Sequence, residues 1–238
     1  MIFNGFQKVT LLDYPGKVAC TLFTGGCNFR CPFCHNAGLV TDLSKSARIE
    51  EEEILTYLRK RRGILDGVCI TGGEPLMHPD LPDFIRKVKE LSFQVKLDTN
   101  GTFPERLAPL LDEGLVDYVA MDIKNSDEKY AATSGIEAYP KKIDETISLL
   151  MNSGVAYEFR TTVVREYHTP QDIENIAKKI MGAKHYFLQG FTDSGNLIGE
   201  NCSAYSPSEM KDLLAIATRY IPSAALRGID EDAPEQHT

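Results

Sequence analysis

The chain has 238 residues, 42% of them hydrophobic, with Lys+Arg 26 against Asp+Glu 34 and a net charge of −8. That length suits one large α/β domain with a substantial core, and an acidic balance with no basic tract argues against a dedicated nucleic-acid binder. No stretch approaches the length of a membrane span, and residues 1–15 lack the basic start and apolar run of an export signal, so the expected location is cytoplasmic. After the turn-forming Asp13-Tyr14-Pro15-Gly16, residues 18–24 read as a short apolar strand. Residues 46–62 read as a helix, acidic at Glu50–Glu53 and basic at Arg59–Arg62, in accord with the macrodipole. The chain then alternates: strand 67–71, helix 80–91, strand 93–98, helix 104–113, strand 117–123, and helices near 127–133 and 141–153. Strand 155–164, helix 171–181, strand 185–189, helix 207–220 and a last short run at 224–227 complete it. Residues 230–238 read as a disordered polar tail, leaving a single domain over 1–229. Such alternation implies βαβ units, right-handed crossovers and a parallel sheet. Six units are too few for a closed eight-fold barrel; a partial, splayed (β/α)6 barrel fits.

Six cysteines, three of them clustered, point to reduced thiols rather than a disulfide framework. Cys20 and Cys69 fall in apolar strands, where they serve as small buried hydrophobes; the polar loop around Cys202 does not decide its role. The cluster is Gly25-Gly26-Cys27-Asn28-Phe29-Arg30-Cys31-Pro32-Phe33-Cys34-His35-Asn36, with three cysteines inside eight residues as C-x3-C-x2-C. Three such thiolates can hold three irons of a cubane cluster whose usual full set is four cysteines. The iron left without a protein ligand is the mark of a reactive site. The other reading is a structural zinc knuckle closed by His35 or a distant cysteine. Zinc sites usually add a second C-x2–4-C pair, and none occurs.

In barrel-type α/β folds the reactive groups gather at the carboxyl ends of the strands, and the polar clusters here fall there in turn. Gly72-Gly73-Glu74 follows the second strand, Asp98-Thr99-Asn100-Gly101 the third and Asp122-Ile123-Lys124 the fourth. Arg160 lies in the fifth strand, and Gln189 closes the sixth. A diglycine lets backbone approach a ligand closely, so its amide and carbonyl groups can pair with an amino acid's ammonium; alone it reads as a plain strand-to-helix turn. Asp98 and Asp122 end adjacent strands. With the Thr99 hydroxyl and a backbone carbonyl they supply hard oxygen ligands for a cation, although each alone also reads as a cap or turn residue.

Taken with Gly5-Phe6-Gln7-Lys8 and Leu12-Asp13-Tyr14-Pro15-Gly16-Lys17, the cysteine run resembles the radical S-adenosylmethionine superfamily. Within it the likeness is to the glycyl radical enzyme activating enzymes, across residues 5 to 227. The resemblance implies the partial (β/α)6 barrel and a [4Fe–4S] cluster on Cys27, Cys31 and Cys34, whose open iron is chelated by S-adenosylmethionine. It implies that Gly72, Gly73 and Glu74 meet the methionine amino group and that Lys124 neutralises its carboxylate. Phe33 would pack on adenine, with Asn36, Asn100, Arg160 and Gln189 also at the cofactor. A monovalent cation, Na+ or K+, would sit on Asp98, Thr99, Asp122 and the carbonyl of Ala120.

The implied activity is that of a radical-generating activase. Flavodoxin or ferredoxin reduces the cluster, S-adenosylmethionine splits to a 5′-deoxyadenosyl radical, and a glycine α-hydrogen is taken from a partner glycyl radical enzyme. That partner would be of the anaerobic ribonucleotide reductase or pyruvate formate-lyase type. Leu188-Gln189-Gly190-Phe191 stands where relatives acting on pyruvate formate-lyase carry a His. No cysteine-rich insert separates Asn36 from Gly72, so no auxiliary cluster is expected. Two alternatives are a radical enzyme acting on a small molecule, similar to a 7-carboxy-7-deazaguanine synthase, and a zinc-stabilised binding module.

Overall fold

The computed structural model describes residues 1–137 and 141–229; the tail expected at 230–238 lies outside the described residues. In chain order the elements begin β1 (Ile2–Phe3), β2 (Gly5–Thr10), β3 (Ala19–Thr24), α1 (Ala37–Thr41), β4 (Ile49–Glu50) and α2 (Glu51–Arg61). There follow β5 (Gly67–Gly72), α3 (Leu81–Glu90), β6 (Gln94–Thr99), α4 (Pro104–Asp112), β7 (Tyr118–Asp122), α5 (Asp127–Ser134) and α6 (Lys142–Asn152). The last are β8 (Ala156–Val163), α7 (Pro170–Lys179), β9 (Tyr186–Gly190), α8 (Pro207–Ala217) and β10 (Ala225–Arg227).

The expected strands and helices from residue 67 onward are present, most with ends shifted by a residue or two; the helix expected over 207–220 stops three residues early, at Ala217. The amino-terminal part differs. Its first residues form β1 and β2, and the helix expected from residue 46 begins only at Glu51 because Ile49-Glu50 is a strand. That strand pairs antiparallel with β1, Ile2 opposite Glu50 and Phe3 opposite Ile49. The cause is tertiary: Phe3 is fully buried and its ring meets Phe84 at 4.8 Å. Burial of that size overrides the helix-forming tendency of a short polar stretch.

The contacts group the chain into two compact units, where the sequence suggests one domain. The first contains β1–β6, most of β7, helices α1–α4 and α6. In it β3, β5, β6 and β7 run parallel, and β2 lies antiparallel on β3. Cys20, Leu22, Val68, Ile70, Val95, Leu97 and Val119 are fully buried, the near-continuous apolar runs of a parallel sheet covered on both faces. Burial pushes the Cys20 thiol up to about 12, so it stays protonated as a small hydrophobe. Helix α3 buries Leu81, Phe84, Ile85 and Val88, the i, i+3, i+4, i+7 stripe of an amphipathic helix. Parallel strands share one carboxyl edge, and there Thr24 of β3 lies beside Gly72 of β5.

The second unit holds α5, most of β8, α7, β9, α8 and β10 together with Phe29–His35. Its three strands are parallel, with β9 between β8 and β10. Helices α7 and α8 each begin with a capping box, Thr169 with Asp172 and Ser206 with Glu209, which answers otherwise unpaired amide donors at both starts. The fully buried Glu158 carboxylate accepts from Arg227 at 2.8 and 3.1 Å, and that guanidinium lies 3.8 Å over the Phe187 ring. Among the described residues no helix is long and apolar enough to cross a membrane.

Candidate active site

In the first unit the chain leaves β3 at Thr24 and reaches Cys27 through Gly25-Gly26. Gly26 is tied from both sides: its N–H donates to the Leu39 carbonyl at 2.8 Å, and its own carbonyl accepts from the Glu74 N–H at 2.9 Å. The diglycine at the end of β5 is seated directly on this loop. Gly72 has φ +113°, and a Cβ there would stand 2.4 Å from the Thr24 carbonyl oxygen. At Gly73 a Cβ would come within 1.8 Å of the Gly26 carbonyl oxygen. Both positions therefore require glycine for the loops to meet at all. The Gly72 carbonyl accepts from Asn36 Nδ2 at 2.8 Å, so Asn36 ties the exit of the cysteine run to the diglycine.

Glu74 is fully buried. Its carboxylate accepts from the Leu76 N–H at 3.0 Å, the Thr99 hydroxyl at 2.9 Å and the Asn100 N–H at 2.7 Å. Expected to face a cofactor's ammonium, it is turned instead onto the end of β6. The Asn100 amide donates to Asn28 Oδ1 at 2.8 Å, and its nitrogen lies 3.8 Å from Cys27 Sγ. Thr102 holds that amide in place, its N–H and hydroxyl reaching Asn100 Oδ1 at 3.0 and 2.6 Å. Asp98, beside Ala120 in the β6–β7 ladder, forms an ion pair with Lys96, whose side chain is 2% exposed. The Thr99 hydroxyl also accepts from the Gly101 N–H at 3.1 Å.

In the second unit the loop is anchored by Arg30 N–H donating to the Ser134 carbonyl at 2.9 Å and by Gly199 N–H donating to the Pro32 carbonyl at 2.8 Å. Cys31 is buried and Cys34 half-buried, joined by a turn bond from Cys34 N–H to the Cys31 carbonyl at 3.1 Å. Phe33 is 4% exposed, packed near Tyr167 and His168 with centroids at 5.8 and 6.2 Å, so this ring, expected on adenine, is part of the core. His35 pairs through Nε2 with the Thr192 carbonyl at 2.8 Å and stacks on Phe191.

Asp122 binds Arg160 Nε at 2.8 Å through one oxygen and Lys124 Nζ at 3.1 Å through the other. Burial works to raise its carboxyl, but Arg160 and then Lys124 outweigh burial and hold it below the usual carboxylate range. Burial likewise works to lower Lys124, yet Asp122 and then the Cys31 sulfur keep its ammonium above its ordinary value. Gln189 is half-buried and stands in register with Thr162 and Arg227.

Lys96, Asn28 and Thr102 escaped the sequence reading. Lys96 carried a signal, a lysine in the centre of an apolar parallel strand; Asn28 and Thr102 carried none. All six cysteines are free of disulfides. Among the described residues no three His, Cys, Asp or Glu side chains converge on the position of a single metal ion.

In the first unit Cys27 follows the loop on which the diglycine turn is seated, and in the second Asp122, at the end of a parallel strand, holds Arg160 and Lys124. The family model of the radical SAM superfamily matches residues 21–180, and the chain belongs to that superfamily. The cofactors of this family are a [4Fe–4S] cluster and S-adenosylmethionine. A Methanocaldococcus jannaschii protein assigned to the glycyl-radical enzyme activating enzymes is 32% identical, over 96% of this chain and 97% of its own. The pyruvate formate-lyase 1-activating enzyme of Escherichia coli is 30% identical over 71% of this chain and 70% of its own. The crystal structure of Streptococcus suis SuiB bound to S-adenosylmethionine matches with TM-score 0.67 and 14% identity, over 87% of this chain. The match spans 52% of that longer chain. At that identity the likeness shows the fold alone, which is the α/β partial barrel expected from the sequence.

Proposed function

We propose that the protein is an activating enzyme for a glycyl radical enzyme, with Cys27, Cys31 and Cys34 as the protein ligands of a [4Fe–4S] cluster. The observation that carries this reading is the seating of Gly73 on Gly26, which holds the diglycine turn one residue from Cys27. The residues fit the group. The sulfurs are soft donors, and Cys27 has the Asn100 amide nitrogen at 3.8 Å; N–H groups favour thiolate ligands. A cubane distributes its thiolates over three irons, so it does not need them to converge on one ion.

When bound, the cluster and S-adenosylmethionine supply one-electron reductive cleavage and hydrogen-atom abstraction. The chain's own residues bind and orient. Asp122 with Lys124 and Arg160 carries a net charge of +1 from its three groups, which suits the cofactor's carboxylate. The Gly72-Gly73 backbone approaches the cysteine loop closely enough to line the methionine moiety. Asn36 and Glu74 hold that backbone and the end of β6 in place. A protein substrate is supported by the full-length likeness to an activating enzyme; flavodoxin or ferredoxin remains the proposed electron donor.

The test uses anaerobically reconstituted protein, which should be brown from thiolate-to-iron charge transfer. Reduced and incubated with S-adenosylmethionine and candidate glycyl radical enzymes, it should yield a glycine-centred EPR doublet. No signal with any candidate would refute the partner class. Cys27→Ala, Cys31→Ala and Cys34→Ala should each abolish S-adenosylmethionine cleavage; retained turnover would remove that cysteine from the cluster.

A further inference from the structure

We propose that Lys96 is a built-in counter-ion at Asp98, standing where the family resemblance expects a monovalent cation, so that cofactor binding is independent of sodium and potassium. The inference rests on the activase reading above. The side chains expected to hold the cation already have partners of their own. Lys96 sits in the middle of β6 between the fully buried Val95 and Leu97, and its own side chain is 2% exposed. Strand alternation puts Lys96 and Asp98 on one face. That face also carries Cys69, which is opposite Lys96 in the β5 ladder, with its sulfur 3.8 Å from Lys96 Nζ.

A buried ammonium persists only where an anion or several acceptors answer it. Asp98 is that anion, and the two form an ion pair. The Thr99 hydroxyl, the second expected ligand, donates to Glu74 and accepts from the Gly101 N–H. The other expected carboxylate, Asp122, has one cationic side chain on each oxygen, Arg160 at 2.8 Å and Lys124 at 3.1 Å. A sodium or potassium ion at either carboxylate would meet a like charge already in place, at a separation where repulsion is strong in a partly desolvated site. Lysine is suited to the substitution, being a compact point charge with three donors on a flexible stem. The expected inorganic cation therefore does not fit these residues as they stand, and the chain supplies the charge itself.

Equilibrium binding of S-adenosylmethionine to the full-length, reconstituted protein tests this, without reductant, in potassium, sodium or tetramethylammonium chloride at equal ionic strength. Wild-type affinity should agree within twofold across the three salts. Lys96→Met keeps the stem and removes the charge. It should bind at least tenfold more weakly in tetramethylammonium and recover in potassium or sodium. The melting temperature of cluster-free Lys96→Met should also rise with potassium chloride while that of wild type stays constant. Tenfold weaker wild-type binding in tetramethylammonium overturns the inference, as does a Lys96→Met variant with wild-type affinity in every salt. If Lys96→Met does not fold, the wild-type salt series decides alone. Absence of binding in all three salts overturns the activase reading and this inference together.

Discussion

Replacing Glu74 by Gln changes one buried carboxylate oxygen into an amide nitrogen and leaves the shape almost intact. In the native protein that carboxylate accepts from the Leu76 N–H, the Thr99 hydroxyl and the Asn100 N–H at 2.7–3.0 Å, with no solvent exposure. A glutamine can present its oxygen to Leu76 and Thr99, but its NH2 then faces the Asn100 N–H, donor against donor. The stranded Asn100 N–H costs about 1–3 kcal/mol, and the two remaining bonds each lose their charge assistance, about 0.5–1.5 kcal/mol apiece. A central value of about 4 kcal/mol for the sum corresponds to a drop in melting temperature of roughly 8–16 °C for a chain of this size. The assay is thermal unfolding of the cluster-free protein followed by circular dichroism, with no S-adenosylmethionine present. If Glu74 served only as a cofactor contact, removing its charge would leave that transition where it was. A melting temperature within about 2 °C of wild type would refute its role as the staple between the diglycine turn and β6.

Gly73→Ala should fold yet cut S-adenosylmethionine cleavage about 100-fold, the expected cost of a misplacement near 1 Å, because its Cβ would stand 1.8 Å from the Gly26 carbonyl oxygen and must push the cysteine loop aside. Single-turnover cleavage under chemical reductant measures it, and a rate within threefold of wild type would count against the loop contact. His168 gives a pH prediction. Fully buried, with its ring bonded to the Lys124 carbonyl at 2.8 Å and to the Val164 N–H at 3.1 Å, it is held below its ordinary pKa chiefly by burial. The unfolded chain then binds the extra proton first, so stability falls as pH drops below about 6.5 toward the lowered folded value, by at most about 1.4 kcal/mol per pH unit. Urea unfolding near pH 7.5 and near pH 5.5 should show a smaller acid loss for His168→Gln than for wild type; equal losses would exclude this contribution.

What the residues alone determined is what local spacing and periodicity control. C-x3-C-x2-C puts three thiols within eight residues in any conformation, and the alternation of apolar strands with amphipathic helices such as α3 implies a parallel α/β sheet before any contact is known. From that follows the carboxyl edge, and with it the positions of Gly72, Asp98 and Asp122. Which way a side chain turns at that edge is decided by packing against residues distant in sequence. Glu74 and Phe33 were open to the cofactor on sequence grounds; Leu76, Thr99 and Asn100 claim the one, and Tyr167 and His168 surround the other. The pairing of β1 with β4 depends on Phe3 meeting Phe84, a contact across 81 residues that no local pattern announces. Lys96 lies between these cases. The sequence placed a charge inside an apolar strand, which demands a partner, but only the folded sheet, bringing β5 against β6, determined that Asp98 would answer it in the company of Cys69.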